Sequence, residues 1–128
     1  RGYWMVAEQV IEILKDSEAL AALVGNRIEP HSVNGFTDGI VYSFTPLTDN
    51  NLVRTDRLEI HIISNNLATC YAIDTVVRSL LLTTGDEPLT NSIHKVEING
   101  GGSMEDAATG TKHLITYYYI VSNGGIKE

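Results

Sequence analysis

The spacing of apolar positions switches between helical and strand periods along the chain, and each switch marks an element. Residues 6–15 place Val6, Val10, Ile11 and Leu14 on one stripe with Glu8, Glu12 and Lys15 opposite, the period of an amphipathic helix. Asp16-Ser17 offers an N-cap, and Leu20 and Leu23 carry a second, short helix to the stop at Gly25-Asn26. Ile28 to His31 predicts a short strand, stopped by Pro30 and the Asn34-Gly35 turn signal. Ile40-Val41-Tyr42-Ser43-Phe44 predicts another strand, closed by Pro46 and followed by a polar loop of Thr48, Asp49, Asn50 and Asn51. The alternation is sharpest from Val53 to Ile63, with Leu58, Ile60 and Ile62 on one face and Arg57, Glu59 and His61 on the other.

Asn65 or Asn66 caps a long helix over 67–84, with the stripe Leu67, Cys70, Ile73, Val77, Leu80 and Leu81. Asp74 and Arg78 are expected as an exposed i,i+4 pair on it, and Gly85-Asp86-Glu87-Pro88 stops it. A strand follows from Ile93 to Asn99. Gly100-Gly101-Gly102 then predicts a turn or bulge, with a hairpin turn the better account. After the acidic, small-residue stretch Glu105 to Gly110 comes a final strand, Lys112 to Ser122, and a fraying tail at Asn123-Gly124-Gly125. The order predicts an α+β fold: a mostly antiparallel sheet of about four strands with two long helices packed on one face. No repeat or linker divides the 128 residues, so 1–128 is expected as a single domain. Met5, directly before the first helix, is the expected natural start, with residues 1–4 a remnant in front of it.

Charge narrows the function. Nine Lys and Arg against sixteen Asp and Glu leave a net charge of −7, and the basic residues are scattered singly. Nucleic-acid readers cluster cations to displace counterions from phosphates, so tight binding to DNA or anionic lipid is disfavoured. No apolar run approaches the roughly 20 residues of a membrane span.

The chemistry-bearing residues form no local motif. His31, His61, His94 and His113 fall on four different predicted strands without the spacing of a metal-ligand motif, so no metal site is expected. Cys70 is alone and lies on an apolar helix stripe, where a buried inert thiol is expected. The three glycines lack the Lys-Ser/Thr of a phosphate cradle, and no nucleophile elbow is present, so no catalytic residue and no cofactor is expected. Tyr117-Tyr118-Tyr119 is the most unusual run. In a strand, Leu114, Tyr118 and Ile120 take one face, and Ile115, Tyr117, Tyr119 and Val121 the other. Such a strand is either covered on both sides or meets another subunit, where tyrosine is enriched.

The order of pieces carries a resemblance. An opening helix runs into Ala19-Leu20-Ala21-Ala22-Leu23-Val24-Gly25-Asn26-Arg27-Ile28 and Pro30. A β run at 40–44 follows, then the strand Arg57-Leu58-Glu59-Ile60-His61-Ile62, a helix ending Val76-Val77-Arg78-Ser79-Leu80-Leu81-Leu82, and an acidic-Thr-Gly turn into a long last strand. Over about residues 6–122 this resembles the tail-completion (tail-terminator) proteins of siphophages and prophages, similar in architecture to the lambda tail terminator. The chain departs from that pattern at Asp38-Gly39, where the family commonly has a proline, and at Leu114-Ile115-Thr116-Tyr117, where an acidic residue is common.

The resemblance implies a structural, non-enzymatic subunit of the virion neck, assembled in the host cytoplasm. It implies a homo-oligomeric ring, hexameric in the family, that caps the tail tube and joins it to the head connector while DNA slides through. The subunit-interface candidates are Tyr117, Tyr118, Tyr119, His61 and Arg57. The candidates for contacts with tail tube or connector are Thr48, Asp49, Asn50, Asn51, Glu105 and Asp106, because loops carry binding surfaces. The alternatives are another head–tail joining or head-closure protein, or a small ligand- or metal-binding module using the histidines.

Overall fold

The computed structural model describes residues 2–30, 38–50, 52–83 and 87–123, with side chains from residue 6 onward. Helices α1 (Gly2–Lys15) and α2 (Glu18–Val24) lead into strands β1 (Ile28–Pro30), β2 (Gly39–Asp49) and β3 (Val53–Ser64). Helix α3 (Leu67–Leu81) then precedes β4 (Ile93–Glu105) and β5 (Lys112–Asn123). The strands form one sheet in the order β1-β2-β3-β5-β4. The chain therefore leaves β3, crosses through α3 to the far edge at β4, and returns to place β5 in the vacant middle slot.

The local signals explain the helix boundaries. Ser17 caps α2 by accepting a hydrogen bond from the Leu20 N–H at 3.1 Å. Gly25 ends α2 at φ 62°, a backbone conformation that glycine adopts at little steric cost. Asn66 caps α3 through its side chain to the Ala68 N–H at 2.8 Å.

The core lies between the helices and one face of the sheet. Leu58, Ile60 and Ile62 of β3 and Leu114, Tyr118 and Ile120 of β5 join Cys70, Ile73, Val77 and Leu81 of α3 and Val6, Val10 and Leu14 of α1. The alternation in β3 and β5 thus buries the faces that the pattern predicts. Burying each such aliphatic side chain contributes roughly 1.5–3 kcal/mol, the main drive for docking the helices on this face.

Several expectations need correction. Among the described residues the sheet has five strands and there are three helices, and β1 pairs with β2 in parallel rather than antiparallel. Strand β2 does not close at Pro46 but runs to Asp49. Its ladder with β3 shifts register between Pro46 and Thr48, and β1 pairs only as far as Tyr42, so the missing proline N–H falls on an irregular stretch with a free side. Strand β4 continues through all three glycines, so of the two readings, turn or bulge, the bulge holds and the hairpin turn does not. The ladder skips from Ile98↔Tyr118 to Gly101↔Thr116, a bulge in which Gly100 and Gly101 take φ of 98° and 156°. Helix α3 ends at Leu81, short of residue 84.

Polar residues inside the core were the least expected. Asp74 keeps its ion pair with Arg78 at 2.7 Å but is buried, not exposed. It faces β5, where the Thr116 hydroxyl donates to its carboxylate at 3.4 Å. At the other end of the same face, Arg54 grips Asp56 through two nitrogens, at 3.0 and 3.1 Å, with both residues buried. Burial lifts the Asp56 carboxyl above the usual carboxylate range, against the pull of Arg54.

Tyr118 is fully buried in mid-sheet, and its hydroxyl has no hydrogen-bond partner among the described residues. Burial, helped by Asp74, drives its phenol far above its ordinary value. Tyr118→Phe removes that stranded hydroxyl without opening a cavity, so stability is expected to rise by about 1 kcal/mol. The urea midpoint of the purified chain checks this, and a lower midpoint for the variant would show that the hydroxyl is paired.

Candidate functional site

The opposite face of the sheet carries the side chains that the core does not use. Strand β5 contributes His113, Ile115, Tyr117, Tyr119 and Val121, all half-buried, and β3 contributes Thr55, Arg57, Glu59, His61 and Ile63. Register brings these into rows: Arg57 lies opposite Tyr119, Glu59 opposite Tyr117, and His61 opposite Ile115. On the other flank of β5, Glu97 lies opposite Tyr119 and Lys95 opposite Val121. Among the described residues the core cluster draws none from this face, although Val41 of β2 is buried on it.

Its charges balance locally. The Arg57 guanidinium stands 5.1 Å from the centre of the Tyr117 ring, a cation–π contact that holds both planes against the sheet. Lys95 and Glu97 pair at 3.4 Å, and Glu59 supplies the second negative charge. Arg57 and Lys95 thus meet Glu59, Glu97 and, on β1, Glu29, a near balance although the whole chain carries −7. A face with little net charge and a tyrosine-rich middle has the composition of a protein-contact surface.

The glycine bulge shapes one side of it. An open groove of about 250 Å³ lies where β4 lacks side chains, lined by Gly101, Gly102, Ser103, Met104, Ile115 and Tyr117. Met104 is exposed on its rim.

The interface candidates divide. Tyr117, Tyr119, His61 and Arg57 are gathered on this one face, across β3 and β5. Tyr118 points the other way, into the core, as strict alternation along β5 requires.

His61 and His113 meet at one end of the face. Their rings lie 5.0 Å apart, with His61 Nε2 2.8 Å from His113 Nδ1. Burial lowers the His61 pKa, helped by His113 and opposed by Glu59. His94 is elsewhere, with Nε2 2.6 Å from Asn123 Oδ1, and His31 lies outside the described residues. Among the described residues, no group of three or more His, Cys, Asp or Glu is placed to hold a metal ion. Cys70 is buried on α3 with its thiol directed at the Lys112 carbonyl 3.6 Å away, and burial raises its pKa. A thiol held protonated and out of solvent is a poor nucleophile.

The candidate contact loops are smaller than expected and lie at opposite ends of the sheet. Thr48 and Asp49 belong to β2 rather than to a loop. The turn itself is organised by Asn50, whose side-chain oxygen accepts from the N–H groups of Leu52 at 3.0 Å and Val53 at 2.8 Å. Asn51 lies outside the described residues. At the other end, Glu105 closes β4 and pairs with Lys112 at 3.2 Å. Asp106 then builds the turn to β5 by accepting from the Ala108 and Gly110 N–H groups at 2.9 and 2.7 Å. Sequence reasoning missed an apolar element at the first turn, where Leu52 is 79% exposed and Leu47 and Val53 are also exposed. The signal was present, since both leucines flank the polar tip, but the polar run masked it.

No protein-family model and no curated protein matches this chain. Among solved structures, it is similar to a chain in the virion of a native gene transfer agent particle. That likeness has a TM-score of 0.67 at 18% sequence identity, covering 90% of this chain and 92% of the other. At that identity the likeness establishes a shared fold over nearly the full length of both chains.

Proposed function

We propose that the chain is a structural subunit of a phage-like particle, and within it a tail-completion subunit that assembles as a ring between tail tube and head connector. The observation that carries this reading is the shared fold, because a chain of nearly the same length and architecture is part of a virion. Fold alone does not fix function. The surface chemistry supports it independently. A closed ring of identical subunits needs two different patches on each copy. The uncovered sheet face, with Tyr117, Tyr119 and Arg57, supplies one of them. The two turns at opposite ends of the sheet then remain for two different axial partners, the Asn50 turn for one and the Asp106 turn for the other. Acidic subunits around a channel would let DNA pass without adhering.

Electron microscopy of particles from the source strain tests the reading. Deleting the gene is expected to leave filled heads and tails that fail to join, and normal joined particles would overturn it. Light scattering of purified chain tests the interface: Tyr119→Asp, which places a carboxylate in the middle of the face, is expected to weaken subunit association at least tenfold. Interface tyrosines commonly contribute about 1–2 kcal/mol or more, which corresponds to that factor. Unchanged association in the variant would remove the sheet face from the interface.

A further inference from the structure

We infer that His61 and His113 form a proton-sharing pair that latches the β4–β5 turn at neutral pH and releases it once both imidazoles are protonated. Its bearing on assembly rests on the function proposed above; the latch itself does not.

The geometry begins with His61 Nε2 2.8 Å from His113 Nδ1. A contact of that length needs one N–H and one lone pair, so in the neutral pair the two tautomers are tied together. The other nitrogen of His113 lies 2.9 Å from the Thr111 hydroxyl, which lies 2.9 Å from the Thr109 hydroxyl inside the turn. The Thr111 carbonyl also accepts from the Asp106 N–H at 2.9 Å. A continuous line of hydrogen bonds therefore runs from β3 through β5 into the turn.

Protons act on this line in two unequal steps. One added proton leaves an imidazolium donating to an imidazole, so the contact survives. A second leaves an N–H on both sides of it and two like charges at hydrogen-bond distance, so the contact is lost. The surroundings offer little compensation. His61 lies opposite Val41 of β2 and Ile115 of β5, and His113 lies opposite Ile63 of β3 and Met104 of β4. Among the described residues, the Glu59 carboxylate on β3 acts on His61, and Glu29 on β1 shares the face beyond Val41. Glu105 and Lys112 alternate onto the opposite face and are paired with each other. Inside the turn itself, Lys112 donates to the Gly110 carbonyl at 3.2 Å and Asp106 holds two N–H groups. Burial of His61 acts in the same direction as the geometry. An unfolded histidine accepts its proton near pH 6.5, whereas burial and the neighbouring His113 ring lower the His61 pKa in the folded chain. The latch therefore adds stability above that pH and loses it as the pH falls further.

Nuclear magnetic resonance on the intact chain with 15N-labelled histidine, titrated from about pH 8 to about pH 4.5, reads both steps at the His61 and His113 rings themselves, apart from the carboxylates that titrate at the acid end. The expected result is two transitions more than about one pH unit apart. The amides of Asp106 and Gly110 should shift with the lower one and lose roughly tenfold in protection below it, relative to the intrinsic exchange rate at each pH. His61→Phe should remove the coupled pair of steps from the His113 signals and silence the turn. Thr111→Val should keep two steps but uncouple the turn from them. Independent titration of the two imidazoles in the unaltered chain, or a turn that responds to pH equally in Thr111→Val, overturns the inference. Light scattering at both pH extremes separates the two ideas. Two-step titration in a chain that never assembles leaves the latch and removes the ring, and assembly without two-step titration does the reverse.

Discussion

Arg54→Met is expected to destabilise the chain by about 3 kcal/mol at neutral pH, because it removes one partner of a buried ion pair while nearly keeping its volume. Asp56 is fully buried on the core face, and Arg54 holds both of its carboxylate oxygens. In the variant the carboxylate retains the desolvation penalty and the repulsion from Asp49 but loses the two opposing contributions of Arg54. Its folded-state pKa therefore rises further above that of the unfolded chain. A native state that binds a proton more tightly than the unfolded state gains stability as pH falls. The deficit is thus greatest above the folded pKa and shrinks as the pH drops through it toward about 4, the unfolded value. Urea unfolding at neutral and mildly acidic pH measures both parts. A deficit below about 1 kcal/mol, or one of constant size across pH, would mean that the pair is not desolvated as described. Arg54→Met combined with Asp56→Leu should recover most of the loss, since well-packed apolar replacements of a buried pair are commonly neutral or stabilising.

Gly101→Ala is the second large effect, and Gly102→Ala is its control. A Cβ on Gly101 would collide with the Ile115 carbonyl oxygen and stand 3.2 Å from the Thr116 Cα, both backbone atoms of β5. Neither can swing aside. The φ of 156° adds conformational strain for any side chain. Together these should cost roughly 3 kcal/mol, or else drive the bulge into another register. At Gly102 a Cβ meets nothing within 4 Å, so alanine there should be close to neutral in stability. Thermal unfolding of the two variants side by side decides the matter: equal midpoints would contradict the bulge geometry. The control has a further use, because Gly102→Ala narrows the groove beside Tyr117 without straining the strand.

How far the sequence could be read follows from what each signal reports. Alternation in β3 placed Leu58, Ile60 and Ile62 in the core and Arg57 and His61 on the other face, because a single slip would have inverted every one of them. The Ser17 and Asn66 caps were legible because capping is a local transaction between a side chain and a backbone N–H two or three residues on. Pro46 and the three glycines misled for a shared reason. They report what a residue disfavours in an ordinary ladder, and a bulge or a free strand edge relaxes that constraint only once neighbouring strands are in place. Asp74 misled because a charged residue on a helix reads as exposed unless its partner across the fold is known, and Thr116 lies 42 positions away. The meeting of His61 with His113, 52 positions apart, had no sequence signal of its own. It comes from the antiparallel register of β3 and β5, as does the gathering of Arg57, Tyr117 and Tyr119.

That same register has a consequence for how such a chain can change over evolution. Hydrogen-bonded partners run unbroken from Val53↔Asn123 to Ser64↔Lys112, so the separation of the two turns is set by a ladder of about 3.3 Å per residue. Inserting one residue into β3 would turn half of the core outward, and inserting two without matching them in β5 would break the pairing. The span between the two ends is therefore quantised: it lengthens or shortens in two-residue increments, made in both strands together. Insertions at the Asn50 or Asp106 turn escape that restriction, which leaves each tip free to diverge while the distance between them is conserved.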